Sequence, residues 1–276
     1  MEKPLIHPAS ETTLSLLMAD LPQSLLLTGP DGVGLSTVAT YIAHTVNGQA
    51  IIILPEKDDK VDTDKGTITV KSIRALYDQT RTIQTGKLVI IIDYAERMAT
   101  SAQNAFLKLL EEPGMNVHFI LATHTPSRLL PTITSRTQLL ELRPLSRAQT
   151  DDFLDQLAIK DAAKRSQLLF MADGLPAELY RLTRDAEYFE RSSQIVRDAR
   201  DLLQDSPYKK LLIAQKYKDN REGALQLLTT AARILQKSIS AKPQMSLIAQ
   251  IDDLLIAHQQ IKANGNIRLC LARFVL

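Results

Sequence analysis

The stretch SLLLTGPDGVGLST, residues 24–37, decides the fold of the first half of the chain. An apolar run ends in a glycine-rich turn, and TVATYIAHTV (37–46) follows with a helical pattern. The spacing of Gly29, Gly34 and Ser36 matches the phosphate-binding loop G-x-x-x-x-G-K-[ST] in its required strand–turn–helix context. The lysine position holds Leu35. The stretch therefore predicts the fold element but leaves the chemistry of its loop open.

Apolar runs alternate with helical patterns over residues 1–145. Two of the runs barely alternate in polarity, which is typical of strands buried on both faces of a parallel sheet. This order predicts a doubly wound α/β domain. The predicted strands are 24–29, 49–55, 66–70, 87–93, 117–123 and 137–142, and the predicted helices are 36–46, 71–83 and 100–111.

The remaining segments carry few strand signals. PEKDDKVDTDKG (55–66) has eight charged residues of mixed sign in twelve, which predicts a solvated loop. From residue 146 onward the patterns are helical, with Ser146 as an N-cap and Pro176 in the first turn of a helix. Helix breaks are predicted at 205–207 and 241–243.

Composition excludes several classes of protein. The net charge of +2 gives no strong push toward direct DNA binding. No run reaches the roughly 18–20 apolar residues of a membrane helix, and the N-terminus lacks a signal-peptide layout, so we expect a cytoplasmic protein without membrane contact. Cys270 is the single cysteine and leaves no cysteine-based zinc site. The five histidines show no ligand spacing and are expected to be surface or partly buried: His7, His44, His118, His124 and His258.

Leu35 limits what the loop can do. Loss of one charge-assisted hydrogen bond costs about 1.5–3 kcal/mol, so weak binding of nucleotide or phosphate can survive through backbone N–H groups. Phosphoryl transfer suffers more, because the missing charge stabilises the transferring group. The alternative is an ordinary glycine-rich turn. The candidate binding residues are Gly29, Pro30, Asp31, Gly32, Val33, Gly34, Leu35, Ser36 and Thr37.

A second motif, KLVIIIDYAERM (87–98), is an apolar strand that ends in Asp93, the Walker B pattern. Asp93 is predicted to hold Mg²⁺, directly or through water, with a plain turn residue as the alternative. In active ATPases of this layout a glutamate follows and orients the attacking water, but Tyr94 stands there. Glu96 is out of register for that role.

The stretches SAQNAFLKLLEEP (101–113) and FILATHTPSRLLPTITSRTQ (119–138) together resemble the clamp-loader branch of the AAA+ ATPases. The resemblance implies that Arg136 is an arginine finger acting in trans on a neighbour's γ-phosphate. It lies in the motif Ser135–Arg136–Thr137, where Thr137 replaces the family's cysteine. Thr123 matches the sensor-1 position, and Ala177 replaces a lid arginine.

Three positions that serve a nucleotide in cis are thus lost, while the finger is kept. Within the family this pattern resembles the δ′ group, as do residues 7–34 and 258–276 with Asn264 and Asn266. The resemblance implies a RecA-like AAA+ core over 1–145, a helical lid over 146–185 and an all-helical collar over 186–276. Many relatives carry a four-cysteine zinc module after the P-loop helix, but residues 44–86 contain no cysteine, so no zinc is expected.

The implied function is that of a DNA polymerase III clamp-loader subunit without its own ATPase activity. The resemblance implies a γ/τ-like ATPase and a δ-like subunit as partners, with the sliding clamp and primed DNA bound through the assembled complex. Two alternatives stay open. One is an active γ-type ATPase with an atypical P-loop, and the other is a AAA+-like scaffold outside replication.

Overall fold

The structure is a computed structural model that describes residues 3–63, 65–81, 86–241 and 245–275. The chain divides into two compact units, Met1–Tyr180 and Arg181–Leu276. The predicted boundaries at residues 145 and 185 stay a prediction.

Unit 1 is built on a five-stranded parallel sheet. Its order is β2-β5-β6-β1-β7, so the first strand lies between β6 and β7. This confirms the predicted α/β class with a parallel sheet core. The strands are β1 (Ser24–Thr28), β2 (Gln49–Ile53), β5 (Leu88–Ile92), β6 (Val117–Thr123) and β7 (Gln138–Glu141), and a separate hairpin consists of β3 (Glu56–Lys57) and β4 (Lys60–Val61).

Helices cover both faces of this sheet. Leu25 and Leu27 belong to one buried cluster with α1 and α2, whereas Leu26 belongs to a second cluster with α3, α4 and α5. Burial on both faces explains why β1, β5 and β6 lack polar alternation. The helices are α1 (Pro8–Ala19), α2 (Leu35–Thr45), α3 (Val70–Arg81), α4 (Thr100–Glu111), α5 (Pro131–Thr134), α6 (Arg147–Gln156), α7 (Ala162–Ala172) and α8 (Pro176–Arg184), with 3₁₀ turns at Ala95–Arg97 and Pro126–Arg128.

Two local predictions are wrong. The segment 55–66 is not a plain loop, because Asp58 and Asp59 take φ values of 52° and 58° and form the two-residue turn of the β3–β4 hairpin. The segment 66–70 is not a strand: Ile68 makes only an isolated bridge to Met98. Thr69 Oγ1 then accepts the Ser72 N–H at 3.3 Å, which starts α3 instead. The predicted end of that helix at residue 83 lies outside the described residues.

Other local signals are confirmed. Ser146 forms a capping box with Gln149, and α8 begins at Pro176. Helix α1 was not predicted. It covers the outer edge of β7, where Ser10 Oγ donates to the Glu141 carbonyl at 2.8 Å.

Unit 2 is all helical. It contains the remainder of α8 followed by α9 (Ala186–Gln204), α10 (Pro207–Lys216), α11 (Arg221–Ala241), α12 (Met245–Lys262), α13 (Ile267–Ala272) and a 3₁₀ turn at Arg273–Val275. The predicted break at 205–207 is confirmed, while most of 241–243 lies outside the described residues. Asp198 is buried and accepts hydrogen bonds from Gln194, Lys216 and Tyr217, which ties α9 to the end of α10.

Candidate functional site

The carboxyl ends of β1, β5 and β6 bring the predicted nucleotide residues to one edge of the sheet. Thr28 at the end of β1 lies opposite Thr123 at the end of β6, and Asp93 follows β5 directly. In open parallel sheets, ligands bind at this edge. The sequence therefore located the candidate site, although the roles of its residues stay predictions.

The loop after β1 has the backbone shape that its glycines predict. Gly34 caps α2 with φ 95°, a left-handed conformation that favours glycine. Gly29 is needed for space, since a Cβ there would lie 2.6 Å from the Leu142 carbonyl oxygen. In the described part of the chain, the N–H groups of Gly34 and Ser36 donate no hydrogen bond. The backbone thus retains an anion cradle at the start of a helix.

Leu35 is a core residue. It is the first residue of α2, its exposed fraction is 2%, and it belongs to the buried cluster that contains Val38 and Ile42. The change from the P-loop lysine therefore removes a charge and also places an apolar side chain in the hydrophobic core. This position supplies no cation to a phosphate.

Ser36 and Asp93 are hydrogen-bonded to each other at this edge of the sheet. Ser36 Oγ donates to Asp93 Oδ2 at 2.5 Å, and the other oxygen of the buried Asp93 accepts the Tyr94 N–H at 3.0 Å. A nucleotide with Mg²⁺, which this fold implies, would meet oxygen ligands of the kind that Mg²⁺ prefers. Oxygen ligands for such an ion are thus present, whereas position 35 offers no lysine to a phosphate.

The start of α8 closes on the loop. Ala177 N donates to the Gly32 carbonyl at 3.0 Å, and a Cβ at Gly32 would lie 3.5 Å from the Leu175 Cβ. Ala177 has no charged group to offer to a phosphate. Next to this contact lies a cavity of about 560 Å³. It is lined by residues 3–6, the loop, α6 and α8, and Lys3, the cationic residue of its lining, is paired with Glu11.

In the turn after β5, Tyr94 occupies the position at which the sequence pattern leads us to look for a catalytic glutamate. Tyr94 has φ 53° and packs edge-on against the His124 ring, with 5.9 Å between the centroids. The 3₁₀ turn directs Glu96 to the end of β6, where Oε1 accepts the His124 N–H at 3.4 Å. Glu96 Oε2 is buried without a hydrogen-bond partner among the described residues. Glu96 therefore lies near the site although it is out of register in the sequence.

His124 also lies at this edge, although the sequence predicted no site role for any of the five histidines. Its Nδ1 lies 2.9 Å from the Gly29 carbonyl, which only accepts, so Nδ1 carries the proton. Its Nε2 lies 3.7 Å from Asp31 Oδ1. His124 thus joins the end of β6 to the loop. Thr123 beside it is fully buried, and its Oγ1 accepts the Thr125 N–H at 3.1 Å.

Arg136 lies just past α5 with 42% of its side chain exposed. One terminal nitrogen donates to the Thr132 carbonyl at 3.1 Å, and the other lies 3.1 Å from Glu111 Oε1. Ser135 and Thr137 return hydrogen bonds to carbonyls of the same short helix. The Arg136 guanidinium therefore lies at the surface, and the residues on either side of it are hydrogen-bonded to α5.

The other histidines and the cysteine have local surroundings of their own. His7 caps α1, His118 contacts the Pro22 carbonyl, and burial together with Lys262 lowers the pKa of His258. Cys270 is buried in unit 2. Across the described ranges no group of three His, Cys, Asp or Glu side chains is placed to hold a metal, and no helix is long and apolar enough to cross a membrane.

Comparison with known proteins finds matches for the first half of the chain. A family model described as "DNA polymerase III, delta subunit" matches residues 11–146. The DNA polymerase III subunit delta' of Bacillus subtilis is 32% identical over 139 residues, which are 50% of this chain and 42% of that protein. The subunit gamma of Buchnera aphidicola is 28% identical over 173 residues, which are 56% of this chain and 48% of that protein. These alignments thus span less than half of the relatives.

A solved structure extends the likeness in fold. A DNA polymerase III gamma subunit-related protein from Thermotoga maritima superposes with a TM-score of 0.53 at 19% identity, over 96% of this chain and 97% of that chain. The matching family model ends at residue 146, so the assignment rests on the sheet, the P-loop region and the segment around Arg136. On these grounds residues 11–146 belong to the AAA+ clamp-loader family, and delta' (δ′) subunits are among their relatives.

Proposed function

We propose that this chain is a δ′-like subunit of a bacterial DNA polymerase III clamp loader. In this role it does not hydrolyse ATP, supplies an arginine finger to a neighbour and helps to load the sliding clamp on primed DNA. The observation that carries the proposal is the contrast between a buried Leu35 and an exposed Arg136. This contrast is what we expect of a subunit that acts on a nucleotide bound by its neighbour.

Three residues around the loop support the proposal that this chain does not hydrolyse ATP at its own P-loop. Leu35, Tyr94 and Ala177 occupy the three positions at which an active relative would carry a lysine, a glutamate and an arginine. The contact between Ala177 and Gly32 also holds the lid helix against the loop. We therefore expect the loop to hold nucleotide or phosphate weakly at most, and we expect no zinc.

Arg136 supports activation in trans. An arginine finger stabilises the charge that develops on the transferring phosphoryl group and accelerates the reaction by about 10³–10⁵. Such a finger has to reach beyond its own subunit, and the exposed position of Arg136 past α5 meets this requirement. The neighbour would be a γ/τ-like ATPase subunit.

The helical unit offers surface for assembly. Tyr208, Leu211 and Leu212 on one face of α10 are 70%, 47% and 52% exposed, and α12 exposes Ile248 and Leu255. Apolar surface of this kind marks protein contacts. We assign it to the helical units of γ/τ-like and δ-like partners in a cytoplasmic complex, which would contact the clamp and primed DNA.

A second candidate is an active γ-type ATPase. The relative from Buchnera aphidicola and the retained pair of Ser36 and Asp93 favour it. It requires turnover by the isolated chain, whereas the δ′-like role requires none. A AAA+-like scaffold outside replication would neither turn over ATP nor bind clamp-loader subunits.

Reconstitution tests the proposal. The chain is mixed with γ/τ-like and δ-like subunits of the same organism, and the complex is analysed by size exclusion with light scattering and by loading of labelled clamp onto primed DNA. We expect one stable complex whose clamp loading depends on this chain. A chain that stays apart from these subunits, or hydrolyses ATP by itself, would contradict the proposal.

A further inference from the structure

The segment that carries Arg136 is fixed to helix α4 at its beginning. Gln103 on α4 is 5% exposed, its Nε2 donates to the Arg128 carbonyl at 3.2 Å, and its Oε1 accepts the Leu130 N–H at 2.8 Å. The fully buried Ile133 anchors α5 in the same apolar cluster as α4. The backbone below the finger is therefore held in one place.

Arg136, at the end of this segment, contacts Glu111, which is also a side chain of α4. Glu111 Oε1 lies 3.1 Å from a terminal nitrogen of Arg136. Glu111 is the last residue of α4, where the helix dipole disfavours a carboxylate. Helix stability therefore does not account for an acidic residue here, and the guanidinium of Arg136 supplies the charge that offsets it.

The contacts leave the finger free to act. A guanidinium has five N–H donors, and the structure uses one for the Thr132 carbonyl and one for Glu111. The remaining donors stay available to an anion. The pair is half exposed, so solvent screens it and a phosphate can compete for the guanidinium. Two fixed contacts nevertheless restrict a side chain that otherwise samples many rotamers.

We infer that Glu111 is a positioning residue for the arginine finger. It holds the Arg136 guanidinium in one orientation, so that its unused N–H groups meet the terminal phosphate of a nucleotide on the neighbouring subunit. The inference rests on the proposed function, because it concerns the same trans reaction. Preorganised donors of this kind raise the rate, since they need no reorientation in the transition state.

A double-mutant cycle in the reconstituted complex tests the inference. ATP turnover, stimulated by clamp and primed DNA, is measured with the wild-type chain, Glu111→Ala, Arg136→Ala and the double variant. We expect Glu111→Ala to lower kcat about three- to tenfold with an unchanged KM for ATP. The double variant should match Arg136→Ala alone, because Glu111 acts only through Arg136. Glu111→Gln keeps an acceptor and should recover part of the turnover.

Glu112→Ala is the matched control. Glu112 is the adjacent carboxylate, and its side chain forms no hydrogen bond or ion pair among the described residues, so turnover should stay at the wild-type level. The inference is wrong if Arg136→Ala lowers turnover but Glu111→Ala does not. It is also wrong if Glu111→Ala lowers turnover by the same factor in the Arg136→Ala background. In both cases the proposed role of Arg136 as an arginine finger is unaffected. If Arg136→Ala has no effect, the proposed function fails, and this inference fails with it.

Discussion

At the residue scale, Leu35 is the strongest support for the proposal that this chain does not hydrolyse ATP. The Leu35 side chain packs in the core at the start of α2. A substitution at this position therefore affects the stability of the fold as well as the chemistry of the loop. An active P-loop would direct an ammonium group from this position to the phosphates. Restoring the lysine alone would leave Tyr94 and Ala177 unchanged.

Leu35→Lys should therefore not create an ATPase. The unpaired ammonium would lie at a position that is 2% exposed, and we expect the unfolding free energy to fall by about 3–5 kcal/mol. Urea unfolding and ATP turnover of the isolated chain measure the two effects. Leu35→Met keeps the volume and should cost less than about 1.5 kcal/mol. A stable Leu35→Lys chain that hydrolyses ATP would contradict the account.

At the element scale, Gln103 on α4 holds the segment that leads to Arg136. Gln103→Leu would leave the Arg128 carbonyl, the Met98 carbonyl and the Leu130 N–H without their partner. Each buried group left unpaired costs about 1–3 kcal/mol, so the variant should unfold at lower urea and activate its neighbour less. Asn104→Ala changes the adjacent exposed residue and should stay within about 0.5 kcal/mol of wild type. Equal stability of the two variants would show that Gln103 does not hold the segment.

In unit 2, the bond between Tyr217 and Asp198 predicts a loss of stability at alkaline pH. Burial, together with the hydrogen bond to Asp198, raises the pKa of Tyr217 well above its ordinary value of about 10. Since the folded state favours the protonated phenol, this stability is full below pH about 10 and is lost as the pH rises above it. Urea unfolding from pH 8 to 11 should show a steeper loss for wild type than for Tyr217→Phe. Parallel curves would refute the assignment.

The elements also show what a sequence can predict. Five strand runs and the Ser146 cap followed from local patterns, because strand burial and helix capping are local properties. Contacts between distant side chains did not follow. His124 and Gly29 are 95 positions apart, and nothing in either segment signals their bond. The β3–β4 hairpin was missed because its turn uses two aspartates instead of glycine.

At the scale of the whole molecule, the proposed function requires one surface for assembly and one for activation of a neighbour. Leu211→Glu with Leu212→Glu places charges on the exposed face of α10. We expect the isolated chain to keep its stability and to lose its place in the complex in size-exclusion experiments. Leu16→Glu, a change at another exposed leucine, controls for surface charge in general. Normal assembly of the α10 variant would remove this face from the interface.

The central claim is that Arg136 acts on a nucleotide bound by a neighbour. The most direct measurement is ATP turnover of the reconstituted complex, stimulated by clamp and primed DNA, with the wild-type chain and with Arg136→Ala, next to the isolated chain. We expect no turnover by the isolated chain and a loss of turnover at one site of an intact complex with Arg136→Ala. Unchanged turnover with Arg136→Ala, or ATP hydrolysis by the isolated chain, would contradict the account.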